Sequence, residues 1–153
     1  MNSSCKLLSA SVALKKDGMT KEYLATHHEL ISGVTNGEKR SVMVTFGLYA
    51  KPEVPIGIYA SVNPIGEEPP INKNKYAEGF YRTLNSSPLS DGMGVFLITL
   101  EVQDVHFEHS GLYEVNARIF PSETTPSTEN EIDSIRCFFY ALTSVEGRHA
   151  TVK

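Results

Sequence analysis

The sequence predicts an all-β fold, a single antiparallel β-sandwich of about eight strands in one domain that spans residues 1–153. Three observations predict it. Apolar and polar residues alternate with a period of two in several segments, which is the pattern of half-buried strands. Breaks rich in Gly, Pro and Asn separate these segments. No alternation of strand and helix patterns supplies the helical crossovers of a parallel sheet.

The N-terminal 50 residues are expected to form a meander. Its strands are predicted at 6–15, 20–33 and 40–50. Asp17-Gly18 and Asn36-Gly37 would join them, because these dipeptides accept the positive φ angles of tight hairpin turns. The middle segment fits two patterns: we favour a strand, but its apolar residues also recur at helical spacing.

Five further strands are expected in the rest of the chain. The clearest is the one in which Phe96, Ile98, Leu100 and Val102 face one side while polar residues face the other. In chain order the five segments are 56–62, 76–84, 95–103, 113–119 and 134–142.

Composition and charge limit the partners. Fourteen basic residues against eighteen acidic ones give a formal charge of −4 and a pI near 5.7, which argues against nucleic acid or an anionic membrane as the main partner. No segment approaches the roughly 18 apolar residues of a membrane span. Serines interrupt the apolar residues of the N-terminus, so it lacks the pattern of a secretory signal, and a cytoplasmic location is expected.

The familiar catalytic motifs are absent. The chain contains no nucleophile elbow, phosphate-binding loop, zinc-protease motif or dinucleotide fingerprint, so no catalytic residue and no cofactor is predicted. Cys5 and Cys137 fit no metal or redox spacing, and we expect two free thiols rather than a disulfide.

The strand at 95–103 and a short turn are followed by the run Ser110-Gly111-Leu112-Tyr113-Glu114-Val115. This order resembles the E–F corner of the immunoglobulin-like superfold, in which an Asp-Ser-Gly-x-Tyr-x-Cys run carries a tyrosine corner. His109 stands where the family has Asp, and Val115 where it has Cys. The resemblance implies that Gly111 permits the corner, that Tyr113 packs inward and bonds upstream backbone, and that Val115 fills a core position.

Two departures narrow this resemblance. The chain has no Trp, and its two cysteines lie near its ends, so an antibody-type domain is excluded. Immunoglobulin-like or jelly-roll topology is therefore expected. Such domains mostly serve binding, adhesion or assembly, which implies a non-catalytic role.

Four potential metal ligands precede the corner: Asp104, His106, Glu108 and His109. A solvated polar turn is the favoured interpretation, since His106 and Glu108 alternate with apolar neighbours. A hydrolase-like or metal-dependent enzyme ranks third among the functions, and a deep pocket lined by Asp104, His106 and His109 would favour it. His27-His28 is expected to be an exposed or edge-strand pair.

Loop clusters and open sheet edges are the usual binding surfaces of such folds, and the alternative that both loop ends are merely solvated stays open. Alternating strand directions would place 51–55, 85–94 and 121–131 at one end of the sandwich and 34–39, 63–75 and 104–111 at the other. The end that contains the long loop at 63–75 is favoured as the binding surface, because charged residues surround an apolar residue, Ile71, in that loop. The candidate residues are Glu67, Glu68, Pro70, Ile71 and Lys73.

Two functions lead these expectations. The first is a non-catalytic module that recognises a protein or glycan through loops or an edge strand. The second is a self-assembling subunit of a bacterial or viral particle, which would form a homo-oligomer through edge strands. The oligomeric state would separate them.

Overall fold

The structure, a computed structural model, describes residues 5–66, 81–122 and 127–145. Within these ranges it contains eight strands and one short helix. In chain order they are β1 (Cys5–Leu14), α1 (Lys21–Ala25), β2 (Leu30–Thr35), β3 (Glu38–Ala50), β4 (Ile56–Pro64), β5 (Tyr81–Pro88), β6 (Gly94–Phe107), β7 (Gly111–Pro121) and β8 (Asp133–Ser144). The helix is far too short to cross a membrane, and no other helix is found in the described residues.

The strands form two sheets of four. Sheet A has the order β1-β3-β6-β5, and sheet B has the order β2-β8-β7-β4. Their inner faces share one apolar core, to which Phe46 and Leu100 contribute from sheet A and Val115 and Phe139 from sheet B. The prediction of an all-β fold is confirmed.

The predicted N-terminal meander is wrong. β1 pairs with β3, while β2 crosses to sheet B and pairs with β8 in parallel, the one parallel pair among the described strands. Both patterns at 20–33 are real, but they occur in succession. The Thr20 hydroxyl accepts the Tyr23 N–H (3.0 Å) and so caps α1, and β2 begins five residues after the helix ends.

The two Gly turns form, but neither closes a hairpin. Gly18 and Gly37 adopt φ values of 71° and 83°, as tight turns require. Asp17-Gly18 leads into α1, and Asn36-Gly37 carries the chain from sheet B to sheet A. These turns fix where the chain bends, whereas the apolar surfaces on either side decide which strands pair.

A β-bulge lengthens β6 beyond its predicted end. Val42 pairs with Val102, but Arg40 pairs with Val105, so β6 contains one extra residue. Asp104 takes up the bulge with a φ of 59°. Because of the bulge, Val102 and Val105 both point into the core. The prediction that residue 104 begins a loop is therefore wrong, since β6 continues to Phe107.

The described loops divide between two ends as predicted, although residues 85–88 of the predicted 85–94 loop belong to β5 and residues 67–75 lie outside the described residues. At one end the Tyr49 hydroxyl, near the end of β3, donates to Asp91 in the β5–β6 turn (3.3 Å). At the other end the Gly37 N–H donates to the Phe107 carbonyl (2.6 Å), which ties the β2–β3 turn to the end of β6.

Candidate functional site

The outer face of sheet B carries a cluster of exposed apolar side chains. We call it the apolar patch: Leu30, Leu112, Phe138, Tyr140 and Leu142. Each is 41–58% exposed. Strand alternation places them there, because Phe139 and Ala141 of β8 point into the core and their neighbours must point outward.

The register makes the patch contiguous. Leu30 of β2 and Leu112 of β7 both pair with Tyr140 of β8, so these three side chains form one row across three strands. Phe138 and Leu142 lie two residues before and after Tyr140 on β8. At about 4.8 Å between strands and about 3.3 Å per residue, the patch measures roughly 10 by 13 Å between backbone positions.

Polar residues lie beside the patch on this face, and several of them pair with one another. Arg136 contacts Glu114 (3.2 Å), and the Arg118 Nε donates to the Asn116 side chain (3.1 Å). Arg118 also lies 3.7 Å from Glu131. The patch therefore has a border of mutually neutralised charges rather than a charged rim.

The outer face of sheet A is covered in part by α1. Leu24 of the helix is buried with Met43 of β3 and Leu84 of β5, and Met19 and Tyr23 pack at the edge of this small second core. The Tyr23 hydroxyl also donates to the Leu14 carbonyl (2.6 Å), which holds the helix on the sheet. No described element covers the apolar patch on sheet B in the same way.

His27 links the two sheets at the point where the chain crosses from one to the other. Its Nδ1 accepts the Val12 N–H of β1 (3.3 Å), which places the proton on Nε2, and Nε2 donates to the Phe138 carbonyl of β8 (2.8 Å). The next residue adds a bond from the His28 N–H to the Val12 carbonyl (2.9 Å). The expectation of an exposed or edge-strand pair missed this role, because nothing in a His-His dipeptide indicates a link between distant strands.

The corner residues are partly as the resemblance implies. Tyr113 is buried and packs between Phe107 and Phe139, at ring-centroid distances of 5.2 and 5.3 Å. Val115 is fully buried in the core. Gly111 is different: it lacks a positive φ, and an added Cβ would meet no atom within 4 Å. The implied need for glycine at this position is therefore wrong, since the Glu108–Ser110 turn reverses the chain without it.

The structure gathers the predicted metal ligands around one open cleft. A cleft of about 540 Å³ lies beside the bulge, with Asp104, His106, Glu108 and His109 in its lining. The prediction that all four lie in a turn is wrong for Asp104 and His106, because the bulge keeps both in β6. His106 Nδ1 and His109 Nε2 lie 3.5 and 4.0 Å from Glu108, and these three side chains are 45–80% exposed.

The described side chains around this cleft do not form a metal site. Across the described ranges, no group of three His, Cys, Asp or Glu side chains is placed to hold a metal ion. The two histidine–glutamate contacts are long and solvated.

The remaining candidates add little chemistry. The predicted loop residues Glu67, Glu68, Pro70, Ile71 and Lys73 lie outside the described residues. Both cysteines are free, as expected. Burial raises the pKa of the Cys137 thiol to about 12, so it is not a reactive thiolate at neutral pH.

No protein-family model and no curated protein matches this chain.

Proposed function

We propose that this chain is a non-catalytic protein-interaction module that binds a protein partner through the apolar patch. The observation that carries the proposal is the contiguity of the patch: a row of Leu30, Tyr140 and Leu112, flanked by Phe138 and Leu142. Single exposed apolar residues are ordinary, but contiguous ones mark interaction sites. Tyrosine and other aromatic side chains also supply much of the energy in protein interfaces.

A protein partner suits the patch better than a glycan. Sugar recognition needs hydrogen-bonding groups that converge on the ligand, but the nearest polar side chains, Glu114 and Arg136, are paired with each other. The partner should present an apolar surface without a strong charge at its rim, because Arg136 and Glu114 already neutralise each other beside the patch.

A second copy of this chain is the alternative partner. Glu114 and Arg136 cancel each other's charge beside the patch, so two patches would not repel when they meet face to face. This is the arrangement that a self-assembling subunit would use. Sedimentation velocity over a wide concentration range separates the two: a constant monomer supports a different protein as the partner.

The strand order supports an immunoglobulin-like topology for this module. If β1 and β3 to β8 are lettered A to G in chain order, sheet A reads A-B-E-D and three strands of sheet B read C-F-G, the constant-type immunoglobulin arrangement. β2 is then an additional strand beside strand G. The same order argues against a jelly roll, whose two Greek keys distribute the strands differently.

Photo-crosslinking tests the proposed surface. A benzophenone amino acid replaces Phe138 in the patch or, as a matched control, Leu8 on sheet A, which is 50% exposed. We expect a defined protein adduct from position 138, none from position 8, and loss of the adduct when Tyr140→Glu is added. Equal adducts from both positions, or an adduct that survives Tyr140→Glu, would contradict the proposal. An adduct of twice the chain mass would identify a second copy as the partner.

A further inference from the structure

A small second cleft opens at the end of the molecule far from the apolar patch. It has a volume of about 160 Å³ and lies where β1 and β3 of sheet A separate from β4 and β7 of sheet B. The lining side chains are mostly apolar: Cys5, Ala50, Val54, Ile56, Pro121 and Ile132. Cys5 and Ala50 are buried, whereas Val54 is 44% exposed, so the cleft has a closed floor and an open mouth.

Backbone hydrogen bonds hold the walls in place. The Val54 N–H donates to the Lys51 carbonyl (3.1 Å), which closes the β3–β4 turn at the mouth. The Ile132 N–H donates to the Ile119 carbonyl (2.8 Å), which fixes the opposite wall. A cleft with such walls is formed before any ligand arrives, so binding has little ordering cost.

Lys51 is the one charged side chain among the residues described around this cleft. No ion pair of Lys51 occurs among the described residues. Asp133, which follows Ile132 of the wall, is already engaged by the Lys6 amine (3.4 Å) and by the Leu7 N–H (2.8 Å). Glu53 lies in the same turn as Lys51 and is exposed to solvent. Burial, with a contribution from Asp133, raises the pKa of the Cys5 thiol, so the wall itself is neutral at pH 7.

We infer that this cleft binds a small amphipathic anion, namely an aromatic or branched aliphatic carboxylate. The apolar floor would take the hydrocarbon part and the Lys51 amine would meet the carboxylate at the mouth. The volume suits a ligand of this size, because a dry apolar cavity of about 150 Å³ in another protein accepts benzene. The side chains that line the cleft offer no strong acceptor, which disfavours a cation or a polyol.

Titration with benzoate, followed by methyl NMR, tests the site. Benzyl alcohol and benzylamine serve as the neutral and cationic probes of similar shape. We expect benzoate to shift the methyl signals of Ala50, Val54, Ile56 and Ile132 at lower concentration than either of them. Lys51→Met should lower the affinity for benzoate about two- to fivefold, which is the contribution of one solvent-exposed ion pair. The affinity for benzyl alcohol should not change. Lys39→Met, at the other end of the molecule, is the matched control.

Three results would overturn the inference: benzoate bound no better than benzylamine, an affinity that Lys51→Met does not change, or shifts confined to residues outside the cleft. Tyr140→Glu should leave benzoate binding intact, so the outcome is independent of the proposed protein interaction. Ala50→Leu, which fills the floor, should abolish binding of both benzoate and benzyl alcohol. If Ala50→Leu does not fold, Lys51→Met still tests the site, because Lys51 is an exposed residue whose replacement should not affect folding.

Discussion

The outer faces of the two sheets differ in what covers them. On sheet A, the connection from β1 to β2 folds back as α1 and buries Leu24 against Met43 and Leu84. On sheet B, Phe138 and Tyr140 point outward with no described element above them and remain 44% and 41% exposed. Within the described residues, the chain thus covers part of the outer face of sheet A and leaves the apolar patch on sheet B exposed.

This difference indicates that the open face is not a consequence of strand pattern alone. A short segment is enough to cover part of a sheet in this protein, because the five-residue helix α1 and its flanks cover part of sheet A. A solvent-exposed patch of Leu, Phe and Tyr also carries a risk of aggregation, which soluble domains usually avoid. Under the proposed function, an intermolecular contact accounts for retaining it.

The largest expected effect comes from removing the cover on sheet A. Leu24→Ala should lower the free energy of unfolding by about 2–5 kcal/mol, because a fully buried leucine is replaced by a cavity. Leu30→Ala on sheet B is the matched control. Leu30 is 58% exposed, and its loss should change stability by less than about 0.5 kcal/mol. Urea denaturation measures both, and equal losses would remove the contrast between the faces.

Much of this contrast was not accessible from the sequence. Alternation correctly predicted the strands that carry Phe96 to Val102 and Tyr113 to Ile119, because period-two burial is a local property. It did not predict that β2 joins the opposite sheet, because pairing depends on surfaces distant in sequence. The segment at 20–33 satisfies both helical and strand spacing. The helix forms where Leu24 can be buried against sheet A, a contact with residues distant in sequence.

The functional surfaces were harder to predict for the same reason. Period-two alternation in β8 places Tyr140 on the opposite face from Cys137 and Phe139, but its alignment with Leu30 and Leu112 depends on the register between strands. The bulge at Asp104 shifts the phase of the apolar–polar alternation between Val102 and Val105. The same shift is also compatible with a loop, so the pattern alone does not show that His106 belongs to a strand.

His27, which links β1 of sheet A to β8 of sheet B, is expected to have the second-largest effect on stability. His27→Ala removes an acceptor for the buried Val12 N–H and a donor to the Phe138 carbonyl, and we expect a loss of about 1–3 kcal/mol in the free energy of unfolding. Hydrogen exchange adds a local readout: the Val12 amide should exchange faster. His109→Ala, at a side chain that is 80% exposed, should change neither quantity. Unaltered Val12 protection in His27→Ala would show that the link does not hold the sheets together.

The smallest expected effect is a difference in stability between two tyrosine variants, one on the inner face of sheet B and one on its outer face. Tyr113→Phe keeps the packing against Phe107 and Phe139 but removes the hydroxyl that the corner resemblance predicts to bond backbone, so stability should fall by about 0.5–1.5 kcal/mol. Tyr140→Phe makes the same change on the outer face, where water replaces any lost bond, and should be neutral. Thermal and urea denaturation together resolve the difference. If both variants match the original chain, Tyr113 contributes only its ring, and the corner is a packing feature rather than a hydrogen-bonded one.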